Sequence, residues 1–212
     1  QELVDSMPLA FDLADKYRMT VMVLADGILG QMMEPITFKN YTTPDDLPPK
    51  DWALTGAKDR PQNIVRSLWL QEGVLENLNY KLRDKYEKIE KTQTRCAEYD
   101  LDDAEIVLVA YGVSARIVRS AVDKARKAGI KAGWIRPITL WPFPYENIKN
   151  AARGKRPLLV VEMSMGQMIE DVKLALEGAA PVHFYGRPGG GVPTVQQVFE
   201  KIQQVVGKKA TL

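Results

Sequence analysis

The sequence predicts an α/β protein whose sheet is parallel or mostly parallel and covered by helices on both faces. From Ala104 to Val206, short apolar runs alternate with helical periods, the spacing that builds strand–helix–strand units. The apolar runs are continuous, as strands buried on both faces are. And 45% of the 212 residues are hydrophobic, enough to fill a core between layers.

The first elements are less regular. Leu3, Met7, Ala10, Phe11, Ala14 and Tyr17 recur at three- and four-residue steps, a helical stripe. Thr20–Ala25 reads as a buried strand, and the irregular stretch DGILGQMMEP follows it. A helix and one strand without sister strands lead to the expectation that the chain is a piece of something longer. Tyr41–Lys58 carries three prolines and no sustained period, so it is expected as a loop. A long helix is expected over Asn63–Lys91. Asp59 would cap it, Pro61 fits its first turn, and Leu75, Leu78, Leu82, Tyr86 and Ile89 form one stripe. At 1.5 Å per residue it would reach roughly 40 Å, which suits a helix lying on its own domain or an inter-subunit strut.

The remaining elements alternate. Glu105–Tyr111 is a strand, and Ser114–Ala128 a helix stopped by Gly129. Ala132–Ile135 is a strand, RPITLWPFP a turn, and Tyr145–Ala152 a short helix. Pro157–Met163 is a strand and Gly166–Leu176 a helix. Val182–Tyr185 is a strand, a glycine-rich loop follows, and Val195–Val206 is the last helix. Ligands in such sheets usually sit at the carboxyl ends of the strands.

Composition excludes several functions. The net charge is +2, from 29 basic and 27 acidic residues, and gives no field for nucleic acid or an anionic membrane. No apolar stretch approaches the roughly 20 residues of a membrane helix. Cys96 and His183 are the sole residues of their types. This chain alone therefore cannot supply the thiolates of an iron–sulfur cluster, a zinc ribbon, an internal disulfide or a histidine-rich metal site. A reducing, cytoplasmic setting is expected.

Four loops could carry chemistry. YGVSAR places Gly112 after a strand and Ser114 where it could cap a helix, with Arg116 nearby. A dinucleotide fingerprint needs further glycines there, so a tight strand-to-helix turn is the favoured reading. VVEMSMGQMIEDV sets Glu162 near a strand end and Gly166-Gln167 at a helix start, where they could grip a polar group or a neighbouring subunit. HFYGRPGGGVPT combines Arg187 with Gly189, Gly190 and Gly191, a possible anion nest or a flexible turn, and Thr194 as a helix cap. LADGILGQMMEP places Asp26, Gly27, Gly30 and Gln31 beyond the first strand. No catalytic triad, metal spacing or pair of catalytic carboxylates assembles from these pieces.

Together, FDLADKYRMTVMVLADGILGQMMEP, LDDAEIVLVAYGVSARIVRSAVDKARKAGIKAGWIRPITLWPFP, VVEMSMGQMIEDVKLAL and VHFYGRPGGGVPT resemble the α-type subunit of 2-oxoacid:ferredoxin oxidoreductases, most of all the branched-chain (2-oxoisovalerate) type. The resemblance runs in order along nearly the whole chain. It implies the carboxy-terminal portion of that subunit: the end of a thiamine-type pyrimidine-binding domain over 1–40, a loop and long-helix linker over 41–100, and a transketolase C-terminal-like three-layer α/β/α domain over 101–212. It implies oxidative decarboxylation of a 2-oxoacid to its acyl-coenzyme A with reduction of ferredoxin. The implied cofactors are thiamine diphosphate with Mg in the complete enzyme and iron–sulfur clusters on partner subunits. The implied partners are β, γ and δ-type subunits, ferredoxin, the 2-oxoacid and coenzyme A, with no nucleic acid and no membrane. The family's thiamine-activating glutamate has no counterpart here, so no catalytic residue is expected. Asp26, Gly27, Gly30 and Gln31 match the loop closing the pyrimidine domain and are expected near the cofactor. Gly166, Gln167, Arg187, Gly189, Gly190 and Gly191 match family loops and are expected to contact substrate, coenzyme A or another subunit. A stand-alone module holding an anion or coenzyme A is the alternative reading.

Overall fold

The structure, a computed structural model, describes residues 1–39 and 46–207. The beginning of the loop expected over Tyr41–Lys58 lies outside the described residues. The chain divides into two compact units, Gln1–Glu87 and Lys88–Leu212.

In the first unit, α1 (Glu2–Tyr17) forms where the periodicity predicts it and ends on Arg18 in the left-handed region, φ 45°. Of its apolar stripe only Tyr17 is buried, while Leu3, Met7 and Phe11 are exposed. Thr20–Ala25, expected as a buried strand, is unpaired instead, and Met22 and Leu24 face solvent. A strand exists through its ladder, and among the described residues no neighbour supplies one. The short helix α2 spans Gly27–Gln31. The long helix is shorter than expected: α3 covers Val74–Gln93, and residues 63–73 are irregular. Gly73 sits at φ 75°, which breaks the helical path just before Val74. Asn63 spends its amide on the carbonyls of Asp51 and Ala53, clamping a loop rather than opening a helix. Asp59, expected as the cap, lies at φ 60° in a turn ahead of that irregular stretch.

The second unit is the expected α/β layer structure. Its elements are β1 (Cys96–Tyr99), β2 (Ile106–Val109), α4 (Gly112–Lys127), β3 (Ala132–Pro137), α5 (Tyr145–Ala151), β4 (Leu158–Glu162), α6 (Met168–Leu176), β5 (Val182–Gly186) and α7 (Val195–Val206). The sheet order is β1-β3-β2-β4-β5. Only β1 runs antiparallel, pairing Cys96 with Pro137 and Tyr99 with Trp134; the other pairs are parallel.

Period-two alternation sorts the central strands between two cores. Val107, Val109, Leu158 and Val160 pack with residues of α5 and α6 on one face. Ile106, Leu108, Leu159 and Val161 pack with α4 and α7 on the other. In register, Val107 lies beside Leu158 and Leu108 beside Leu159, so each face receives matched rows. These side chains are wholly buried. Burying each is worth about 1.5–3 kcal/mol relative to exposure, and this burial is the main force holding the layers together.

β1 was not visible in the sequence because its residues are only half-buried or exposed. It is held by its pairing with β3 and by Tyr99, which stacks on Trp134 with ring centroids 4.3 Å apart. Gly133 allows the chain to pass close above β3: a Cβ there would stand 2.6 Å from the Asp100 carbonyl oxygen. Arg126 secures the same turn, donating to the Asp100 carbonyl at 2.8 Å and to the Asp103 carboxylate at 2.7 Å. Among the described residues, no helix is long and apolar enough to cross a membrane.

Candidate functional site at the carboxyl edge of the sheet

The loops that leave β4 and β5 come together because these strands are neighbours, with Glu162 opposite Gly186. Glu162 ends β4, only 2% exposed. One carboxylate oxygen accepts from the Ser164 hydroxyl at 3.0 Å and from the amides of Gln167 and Met168 at 3.0 and 3.1 Å. The other accepts from the Ile169 amide at 3.0 Å. A buried negative charge thus sits at the start of α6, where unsatisfied N–H groups and the helix dipole both favour it. The carboxylate that sequence reasoning offered as a grip for a partner group is spent on its own loop.

Ser164 completes the turn, since its hydroxyl also accepts from the Gly166 amide at 3.1 Å. Gly166 lies at φ 107°, a conformation that side-chain-bearing residues rarely adopt. The turn presses onto β5: a Cβ on Gly186 would overlap the Ser164 carbonyl oxygen. The next residue, Arg187, donates its amide to the Glu162 carbonyl at 3.1 Å. Glu162 therefore anchors both loops, one by its side chain and one by its backbone.

Arg187 is half-buried, and its guanidinium donates to the Gln197 side-chain oxygen at 3.2 Å. That oxygen also accepts from the Thr194 amide, and the Thr194 hydroxyl accepts from the Gln197 amide. Thr194 caps α7 as expected, in a reciprocal box that also fixes the arginine. Gly189 and Gly190 occupy left-handed backbone at φ 65° and 81°, and a Cβ on either would meet open space. Gly191 closes a turn by donating to the Pro188 carbonyl, and its Cα faces the Arg187 Nε. Gly166, Gln167, Arg187, Gly189, Gly190 and Gly191 therefore belong to one pair of adjoining loops.

Asp26, Gly27, Gly30 and Gln31 lie in the first unit. Asp26 precedes α2 without a side-chain cap, and the Gly30 amide donates to its carbonyl at 3.0 Å. A Cβ at Gly27 or Gly30 would meet nothing within 4 Å. Among the described residues, neither glycine is needed for a close approach, so this stretch by itself forms no glycine-lined cradle for thiamine diphosphate. In the YGVSAR turn, α4 begins earlier than expected: Tyr111 is the N-cap, and Ser114 is buried inside the first turn instead of capping it.

Sequence reasoning missed three ties. Gln197 as the partner of Arg187 could have been found from the T-x-x-Q spacing of Thr194 and Gln197. The internal role of Glu162 has a weaker signal, a lone carboxylate ending an apolar strand just before a helix. The hydrogen bond from the Tyr145 hydroxyl to Asp171, at 3.0 Å, joins α5 to α6 and has no sequence signal. Burial first, and then Asp171, push the Tyr145 phenol above its ordinary range.

Residues 104–198 match the family described as pyruvate:ferredoxin oxidoreductase core domain II. Over 208 residues the chain is 45% identical to the ketoisovalerate oxidoreductase subunit VorB of Methanothermobacter marburgensis, covering 98% of this chain and 58% of that subunit. It is 33% identical over 234 residues to the 2-oxoglutarate synthase subunit KorA of the same organism, covering 95% of this chain and 60% of that one. The chain thus spans under two thirds of the length of these relatives. A solved structure of 2-oxoglutarate:ferredoxin oxidoreductase from Magnetococcus marinus, with 2-oxoglutarate, coenzyme A and succinyl-CoA bound, covers 91% of this chain and 38% of its own. Its TM-score is 0.69 at 18% identity, a likeness of fold.

Proposed function

Because the chain belongs to the 2-oxoacid:ferredoxin oxidoreductase family, we propose that it serves as part of the α-type subunit of such an enzyme, with 2-oxoisovalerate as the substrate. The reaction is oxidative decarboxylation of the 2-oxoacid to its acyl-coenzyme A, with electrons passed to ferredoxin. The observation that carries this reading is the 45% identity, over 98% of the chain, to a ketoisovalerate oxidoreductase subunit. The lower 33% identity to a 2-oxoglutarate synthase subunit supports the branched-chain choice.

In this proposal the chain works in the cytoplasm with β, γ and δ-type subunits. Thiamine diphosphate, bound with Mg in the complete enzyme, supplies the electron sink for decarboxylation. With Cys96 as its single cysteine, this chain leaves iron–sulfur ligation to its partners. Residues 1–40 form the end of the pyrimidine-binding-like domain, 41–100 the linker, and 101–212 the transketolase C-terminal-like domain. Asp26, Gly27, Gly30 and Gln31 lie near the cofactor. Gly166, Gln167, Arg187 and Gly189–Gly191 contact coenzyme A, substrate or a neighbouring subunit. The second unit acts chiefly as scaffold, with its loops held in place by Glu162 and Gln197.

Co-expression of the chain, joined to the rest of an α-type subunit, with the partner subunits tests this. The purified complex, given thiamine diphosphate and coenzyme A, is expected to reduce a viologen dye faster with 2-oxoisovalerate than with 2-oxoglutarate or pyruvate. The chain alone is expected to be inactive. Turnover by the isolated chain, or a complex that prefers 2-oxoglutarate, overturns the proposal.

A further inference from the structure

Among the described residues, one buried side-chain polar atom lacks a hydrogen-bond partner, the Nε1 of Trp69. An indole N–H shut away from water without an acceptor costs free energy, which an incoming acceptor recovers. Over the same ring lies the Arg66 guanidinium, 4.1 Å from the centroid. No carboxylate among the described residues pairs with Arg66. A donor and a cation thus stand together, each without the group that would complete it.

The chain around them is apolar and bare. Ile64, Val65, Leu68 and Leu70 are 68%, 59%, 68% and 87% exposed. They stand on backbone that is neither helix nor strand. Exposed apolar side chains gathered in this way mark an interaction surface, and tryptophan and arginine are the residues that carry most of the energy of such surfaces. Both ends of the segment are tied. Asn63 donates to the carbonyls of Asp51 and Ala53, and α3 begins at Val74. A segment held at both ends loses less entropy when it docks.

Charge decides the occupant. From Asn63 to Gln71, Arg66 is the sole charged residue, and it stands near the middle. An isologous contact sets a patch against itself. Two copies of this segment joined in that way would bring Arg66 against Arg66, with no anion between them. A different chain that offers a carboxylate gives Arg66 charge-assisted hydrogen bonds. An apolar groove around that carboxylate buries the four exposed side chains. The indole N–H is covered in the free chain, so a groove acceptor reaches it as the segment shifts on binding. Irregular backbone has no ladder or helix to break in doing so.

We propose that residues 64–70 are a docking segment for a different subunit, one that presents an apolar groove with a carboxylate set in it. This rests on the reading of the chain as part of a multisubunit oxidoreductase.

Photo-cross-linking tests it in the complete α-type subunit, co-expressed with its partner subunits. A benzophenone amino acid in place of Leu70, the most exposed side chain of the segment, is expected to cross-link to a partner subunit. Arg66→Glu is expected to weaken association with that subunit at least about tenfold, and more than Arg66→Met, because it reverses the charge instead of removing it. Trp69→Phe deletes the N–H and keeps most of the ring. It is expected to weaken association about two- to tenfold. Without the partners, the same variant is expected to keep or raise the urea midpoint of its own subunit, because an unpaired donor has gone. Circular dichroism confirms that each variant is folded. A cross-link confined to the same subunit, a cross-link to a second copy, or none at all overturns the proposal. So does association untouched by both Arg66→Glu and Trp69→Phe. A complex that cross-links to a partner at Leu70 but favours another 2-oxoacid supports the docking and overturns only the substrate choice.

Discussion

Replacing Glu162 with glutamine keeps size and shape but changes what the buried group can accept. The carboxylate receives four hydrogen bonds, three on one oxygen and one on the other. A glutamine amide offers one acceptor and one donor group. Its best orientation places the oxygen toward Ser164, Gln167 and Met168, and turns the NH2 against the Ile169 amide. One buried N–H is then unsatisfied, which costs about 1–3 kcal/mol. The lost negative charge at the start of α6 removes up to about 2 kcal/mol more in such a buried site. Together these come to roughly 1–5 kcal/mol. Urea denaturation of the chain, followed by far-UV circular dichroism, should show this as a lower midpoint with an unchanged slope. Hydrogen exchange should show the amides of Gln167, Met168 and Ile169 opening first. If Glu162→Gln unfolds at the parent midpoint and those amides exchange at the parent rate, the carboxylate is not the anchor that its geometry indicates.

Three further outcomes follow from other sites. Gly133→Ala forces a Cβ to within 2.6 Å of the Asp100 carbonyl oxygen and should lower stability by about 1–3 kcal/mol, measured as a depressed melting temperature. Burial, reinforced by nearby Glu98, pushes the Cys96 thiol up to about 12, so an aromatic disulfide reagent at pH 8 should react with it only after unfolding. Because that folded-state value lies above the ordinary one, the thiol's contribution to stability is complete below about pH 9 and is lost as pH rises toward 12. The hydrogen bond from Arg126 holds the Asp103 carboxyl below its ordinary range; Arg126→Met should return it upward in an NMR titration, and the small stability it lends in the parent should fade as pH drops through the lowered value.

The second unit was legible in the sequence almost residue by residue, and the reason is physical. Ile106–Val109 and Leu158–Val161 are buried on both faces, so burial alone dictates an uninterrupted apolar run. α7 runs from Val195 to Val206 as its pattern predicts, because Thr194 and Gln197 mark its start. β1 escaped notice because a strand at the sheet edge, half in solvent, has no reason to be apolar. The long-helix stripe misled because a three-to-four period describes spacing and not backbone: Gly73 and the Asn63 clamp decide where α3 begins. Thr20–Ala25 misled in the opposite way, since its side chains suit a strand but pairing comes from neighbours. At the candidate site, the sequence indicated which loops matter. It could not indicate that Glu162 and Gln197 face inward, because that depends on which strands are adjacent.

The double anchorage at Glu162 divides each loop into a fixed base and a free tip. Residues close to the anchor, such as Gly166 and Gly186, have no room to change. Met165 and the Gly189–Gly190 pair project into open space. Specialisation can therefore proceed at Met165 by exchange, and around Gly189–Gly190 only by changes that keep their left-handed backbone, while the strands beneath keep their alignment. A protein engineer seeking to retune this edge has a few neighbouring positions to vary and a foundation that tolerates the experiment.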